Sequence, residues 1–96
     1  MAYIYVVTRI VEHTSDWNSY PPNLGVHTQK KLALSHFDSV ISDRKKMSNV
    51  HIIQSNPRPS VGRMSLLSEA RIEYEDIGSK VVETLRLERW EKIILN

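Results

Sequence analysis

The first strong pattern along the chain is a run of ten residues dominated by β-branched and aromatic side chains, YIYVVTRIVE at Tyr3–Glu12. Such side chains fit a pleated, half-buried surface, and no Gly or Pro interrupts them, so the run is predicted to be a strand. Successive residues of a strand point to opposite faces, and here both faces are mostly apolar. The pattern indicates a central strand.

The second pattern has the spacing of one helix face. The apolar residues that share this face are Ala33, Leu34, Phe37, Val40 and Ile41. Thr28 is a candidate N-cap, and the basic residues at 44–46 would lie in the last turn, where cations complement the helix dipole. Ser48 and Asn49 would end the helix, and Leu24–His27 would lead into it as a short extended segment.

Apolar and charged residues alternate strictly further along the chain, so Ser68–Asp76 is predicted to be a strand. Its inward residues would be Ala70, Ile72 and Tyr74. Residues 76–79 supply a turn in which Gly78 adopts positive φ at little cost, and Lys80–Ile93 would form the return strand of a hairpin.

Between the helix and the hairpin, Val50–Gln54 is predicted to be a short strand. Residues 55–63 are predicted to be a loop, because Pro57 and Pro59 exclude regular ladder pairing. The polar and proline-rich stretch 13–23 is predicted to be a loop as well.

Together these elements predict an α+β fold in the order β-α-β-β, with one helix packed on one face of a three- to four-stranded antiparallel sheet. Residues 1–96 are expected to form a single domain. The second face would carry, depending on register, several of Tyr3, Tyr5, Val7, Val82 and Trp90. Since an apolar face without a cover usually marks an interface, we expect a homodimer. The alternative is that the loops fold over this face.

Composition narrows the class of protein. The hydrophobic fraction of 41% and the charged fraction of 25% are those of a globular chain. There is no cysteine, so disulfides and thiolate chemistry are excluded. No apolar run approaches the roughly 20 residues that span a bilayer, and Arg9 interrupts the apolar start too early for a signal peptide. We expect a cytoplasmic protein without membrane contact.

Catalytic and metal-binding patterns are not found, so the chain is predicted not to be an enzyme and to hold no metal or cofactor. Its histidines, His13, His27, His36 and His51, include no pair at i, i+4 and no HxH. Residues 13–15 resemble half of a two-histidine phosphodiesterase motif, but Gln29 stands where the second motif needs a hydroxyl. The carboxylates of Glu73, Glu75, Glu83 and Glu88 alternate along strands and are expected to point to solvent.

Charge and exposed aromatics suggest binding surfaces instead. The net charge is only +2, but residues 27–63 contain seven Lys or Arg against two Asp, whereas the segment from Met64 onward is acidic. Lys30 and Lys31 occupy a first helical turn, where acidic residues are normally favoured, and would suit a bound anion. Arg58 and Arg63 lie on the proline-stiffened loop and would suit a phosphate or carboxylate. Trp17 and Tyr20 lie on the first loop, where aromatic residues act either as anchors or as contact residues.

The order YIYVVTRIVE, GVHTQKKLALSHFDSVISDRKK and VVETLRLERWEKI is similar to small uncharacterised proteins of bacteriophages and prophages. That resemblance implies a phage origin and binding to host factors, including inhibition of CRISPR or other defence systems. The leading hypothesis is therefore a non-enzymatic inhibitor that contacts a bacterial host or defence protein. One alternative is a homo-oligomeric sponge for a nucleotide immune signal, with Arg58 and Arg63 on its phosphates. Another is an RNA-binding or small regulatory module, although the acidic hairpin argues against nucleic acid as a partner. The last is a phosphodiesterase that uses His13.

Overall fold

The computed structural model describes residues 2–12, 23–55 and 58–91, without the side chains of 12, 23 and 58–61. Its elements in chain order are β1 (Tyr3–Glu12), β2 (Asn23–His27), α1 (Lys30–Arg44), β3 (Ser48–Ser55), β4 (Arg58–Val61), β5 (Met64–Asp76) and β6 (Ser79–Glu91). The strands pair antiparallel in the order β2-β1-β6-β5-β3, and β4 also pairs with β5. The predicted α+β class, with one helix and an antiparallel sheet, is confirmed.

The predicted strand number and the β-α-β-β order differ from the structure. The segment that leads into the helix is itself a strand, β2, which pairs with β1. The predicted loop at 55–63 contains β4, which pairs irregularly with β5. Proline is tolerated in an edge strand, because its missing N–H can face away from the sheet. Since β6 occupies one side of β5, β3 and β4 follow each other along the other side.

The hairpin of β5 and β6 forms the centre of the sheet. Each strand has 13 residues, which corresponds to a length of about 43 Å. The turn between them has positive φ at both central residues, 48° at Ile77 and 74° at Gly78. This is the requirement of a type I′ hairpin turn, so the prediction for Gly78 is confirmed. Positive φ at the β-branched Ile77 was not foreseen.

The helix starts and ends close to its predicted limits. Its N-cap is Gln29 and not Thr28, and no side-chain hydrogen bond caps it. Of the three basic residues predicted for the last turn, only Arg44 lies there. Ala33, Phe37 and Ile41 are buried as predicted, whereas Leu34 is exposed. Among the described residues, no helix combines the length and the apolar character that crossing a membrane would require.

The core lies between α1 and one face of the sheet, with most of its buried strand residues on β1, β5 and β6. Its buried apolar side chains are Val7, Val11, Ala33, Phe37, Ile41, Ala70, Ile72, Tyr74, Val81, Leu85 and Leu87. The pairing of Val7 with Leu87 places Val7 in this core, and Tyr3 and Tyr5 share its face of β1. The expectation that these three residues line the uncovered face is therefore wrong. Val82 and Trp90 do lie there.

Candidate functional site

Lys30 and Lys31 open α1, and both side chains are exposed. The first turn contains no acidic residue, and no side chain caps the helix. Both lysines thus belong to the first turn of the helix, and an anion site there stays a prediction. Both lysines oppose the positive end of the helix dipole, which is unfavourable for folding.

The predicted arginines lie at the opposite edge of the sheet. Arg58 begins β4, and its side chain is not among those described. Arg63 lies in the turn between β4 and β5, is exposed, and accepts a hydrogen bond at its backbone oxygen from the N–H of Glu91 at 2.9 Å. Three strands separate β2 from β4, a distance of about 19 Å at the usual strand spacing. The arginines and the helix-start lysines therefore do not form one phosphate site. Trp17, Tyr20 and His13 lie outside the described residues.

Two histidines that are distant in sequence meet between β2 and α1. Nε2 of His27 lies 3.0 Å from Nδ1 of His36, with the rings edge to face at 81°. One ring donates and the other accepts, according to their tautomers. A Cβ on Gly25 would lie 2.7 Å from Cε1 of His36, so only glycine leaves room for this pair. The local sequence pattern does not predict this contact, because the two residues belong to different elements.

A buried ion pair lies at the other end of the helix. Nε of Arg44 lies 3.0 Å from each carboxylate oxygen of Glu83, and the hydroxyl of Tyr74 donates to Oε1 at 2.5 Å. The side chain of Glu83 is 0% exposed, so the prediction that it points to solvent is wrong. Glu83 pairs with Val11 and Ile72 on the helix face of the sheet. Burial alone would lower the pKa of Arg44, but the hydrogen bond to Glu83 and its charge outweigh this effect and raise it.

This ion pair is suited to a structural role. Both oxygens of Glu83 are engaged by donors, and solvent does not reach them. A general base needs access to the proton of a substrate, which this carboxylate lacks. The guanidinium stays charged at all accessible pH values and satisfies the carboxylate that the fold buries.

The sheet face opposite α1, here called the open face, is formed by even-numbered residues of β1 and β6 and by odd-numbered residues of β5 from Glu69 to Glu75. Its centre is charged and paired. Arg86 contacts Glu69 at 3.4 Å and Glu88 at 3.5 Å, and Arg71 contacts Glu73 at 3.5 Å. Nε of Arg86 is buried and its contact with Glu69 lacks hydrogen-bond geometry, so this contact is only an ion pair. Glu88 is also buried, contrary to prediction.

Exposed apolar side chains on this side of the sheet lie on both sides of the charged centre. The four large ones are Ile10, Val26, Ile53 and Trp90. Ile10 and Ile53 lie in the same cross-strand row, but Thr84 and Arg71 separate them. Ile10 and Ile53 thus lie apart from the apolar end of this face, where Val26 pairs with Val6 and Trp90 pairs with Ile4. The homodimer through this face stays a prediction.

The outer edge of β3 is different in character. This strand has the sequence SNVHIIQS, with no Lys, Arg, Asp, Glu, Pro or Gly, and it is the last strand on its side of the sheet. No other described strand pairs with its outer edge. Its pairing with β5 is regular from His51 to Ser55 and irregular before that, where Asn49 has a φ of 53°. Ile53, in the middle of the regular part, is 65% exposed.

The described residues contain no group of three or more His, Asp or Glu side chains arranged to hold a metal ion. Comparisons with known proteins leave the function to be argued from this geometry. No protein-family model, curated protein or solved structure matches the chain, and nothing in these comparisons links it to phage or anti-defence proteins.

Proposed function

We propose that the protein acts without catalysis, by binding another protein through addition of a strand at the outer edge of β3. The observation that carries this proposal is an eight-residue terminal strand without a charged residue, proline or glycine. A terminal strand has outward N–H and C=O groups that are free to pair with a further strand.

Edge strands usually carry features that prevent such pairing, including lysines, prolines, inward charges, bulges or short length. The other edge of this sheet has two of them, because β2 has five residues and its pairing with β1 is irregular. The β4 segment, next to β3, contains Pro59 and pairs irregularly. In β3 the only such feature is the irregularity near Asn49, which leaves His51–Ser55 regular. The contrast supports β3 as the contact edge.

The side chains of β3 define the partner. Ile53 is exposed on the side of the open face, whereas Ile52 is half-buried against the core. A segment that extends the sheet would place one side chain beside Ile53 and its neighbours beside Ile52 and Gln54. The preferred partner is therefore an extended, uncharged segment with an apolar residue at its centre. A bacterial host or defence protein, the partner class implied by the phage resemblance, would bind in this way.

The test compares three forms of the full chain as bait for a library of displayed bacterial protein fragments. These forms are the wild type, Ile53→Lys and, as a matched control, Ile10→Lys. Ile10 is 55% exposed and lies in the same row of the same face, but on an inner strand. Fragments that bind the wild type and the control but not Ile53→Lys would support the proposal. Binding that survives Ile53→Lys would contradict the proposal, and so would the absence of binding by a wild-type chain that is monomeric.

A further inference from the structure

The regular part of β3 is complementary to itself. We infer that the partner strand is β3 of a second copy of this chain, paired antiparallel about a two-fold axis at Ile53. This inference rests on the proposed function and names the partner of the same edge. It places the homodimer interface at the sheet edge and not on the open face.

The centre of pairing follows from the register. The regular ladder runs from His51 to Ser55, and Ile53 is its middle residue. A two-fold axis at Ile53 sets the two Ile53 side chains directly opposite each other, with Cα atoms about 4.5–5.5 Å apart. It also pairs His51 with Ser55 and Ile52 with Gln54 of the second copy. A centre closer to the start of the strand would draw the irregular residues around Asn49 into the ladder.

Electrostatics permit this self-pairing. No charged side chain lies on β3, so no like charges become direct neighbours. The first charged side chain beyond Ile53 in the same row is Arg71 on β5. The two copies of Arg71 would be three strand spacings apart, about 14 Å. That distance exceeds the Debye length of about 8 Å at physiological salt, so their repulsion is screened.

A two-fold pairing also closes the assembly. Each copy uses its β3 edge once, and the two sheets become continuous with both helices on the same side. The other edge, β2, is short and irregular and offers no equivalent site for further addition. The inference is thus a closed dimer and not a filament.

The experiment measures the mass of the full chain by light scattering and native mass spectrometry between micromolar and submillimolar concentrations. The proteins are the wild type, Ile53→Lys and Ile10→Lys. We expect dimers for the wild type and for Ile10→Lys. Ile53→Lys would set two ammonium groups side by side at the dimer centre, so we expect its dissociation constant to rise at least about tenfold. Because Ile53 is 65% exposed, this substitution should leave the monomer folded.

Amide exchange provides a readout that needs no substitution. If the edges pair, protection of the outward amides within His51–Ser55 should increase with protein concentration, while that of β2 should not. A wild type that stays monomeric with concentration-independent exchange would overturn the self-pairing. Loss of the dimer in Ile10→Lys, or its survival in Ile53→Lys, would do the same. A monomer that still binds other proteins in an Ile53-dependent way would refute only the second copy as partner and leave the proposed function standing.

Discussion

Replacing Arg44 by Met should destabilise the protein more than most single substitutions. Glu83 would keep only the hydroxyl of Tyr74 as a partner, on a side chain that is 0% exposed. Removing one member of a buried ion pair costs about 3–5 kcal/mol, because the remaining charge is left without compensation. The side chain of Arg44 is 21% exposed, so some water can replace it. We therefore expect a loss near the lower end, about 3 kcal/mol.

Two companion variants divide this effect into its parts. Tyr74→Phe removes one hydrogen bond to a charged group, which contributes about 1.5–3 kcal/mol. The double variant Arg44→Met with Glu83→Leu removes both charges and fills the space with apolar atoms. It should be more stable than Arg44→Met alone, because no uncompensated charge stays buried, but it still loses the hydrogen bond from Tyr74 to Glu83.

The assay is urea denaturation at pH 7, with the free energy of unfolding and its slope compared across variants. Arg71→Met is the matched control, because Arg71 and Glu73 form an ion pair at 3.5 Å with side chains 52% and 32% exposed. An exposed pair contributes about 0–1 kcal/mol. The reasoning is refuted if Arg44→Met costs no more than this control, or if the double variant is as unstable as Arg44→Met alone.

Three further predictions concern local geometry. Gly25→Ala should lower the free energy of unfolding by about 1–3 kcal/mol, because the new Cβ would lie 2.7 Å from His36 and overpack the contact. The loss should be smaller in a His36→Ala background, and equal losses in both backgrounds would contradict the close contact. Ile77→Asn should stabilise the protein by about 1 kcal/mol, because a β-branched residue at positive φ is strained. An unchanged melting temperature would argue against the type I′ turn. Gln29→Asp should raise the free energy of unfolding by about 1 kcal/mol, because aspartate can cap the helix. Lys30→Glu should raise it by about 0.3–1 kcal/mol through the helix dipole. A loss of stability in either variant would contradict the described helix start.

The sequence predicts those elements whose stability comes from local pattern. The apolar run of β1, the stripe of Phe37 and Ile41, and the alternation of Ala70, Ile72 and Tyr74 are found as expected. The missed strand β2 has only five residues and contains a glycine. It is a strand because β1 offers it a ladder, which is a tertiary effect that a local pattern cannot contain.

Which face of a strand is buried depends on partners that are distant in sequence. Both faces of β1 are apolar, so its own pattern does not decide whether Val6 or Val7 faces the helix. The pairing of Val7 with Leu87 on one side and with Gly25 on the other decides it. The same dependence on sheet order applies to the candidate site. That β3 forms an edge follows from its position after β5 in the sheet and not from its own sequence.

The buried ion pair, by contrast, left a signal that the sequence analysis did not use. On β6, Glu83 has the same parity as Val81, Leu85 and Leu87, which are all buried. On α1, Arg44 lies three residues after Ile41, on the side of the buried stripe. A charged residue at a buried position of one element is unfavourable on its own. Opposite charges at buried positions of two elements that pack together compensate each other by forming an ion pair, as Glu83 and Arg44 do.

This pairing also fixes the helix along the sheet. His36 packs against Gly25 at one end, and Arg44 binds Glu83 at the other. These two helix residues are eight positions apart, about 12 Å along the axis. On β1, the residues paired with Gly25 and Glu83 are Val7 and Val11, about 13 Å apart. Because Gly25 lies on β2 and Glu83 on β6, on either side of β1, the two contacts together fix where α1 lies on the sheet. A slip of one helical turn would leave Glu83 buried without a cation and would force His36 away from the glycine that makes room for it.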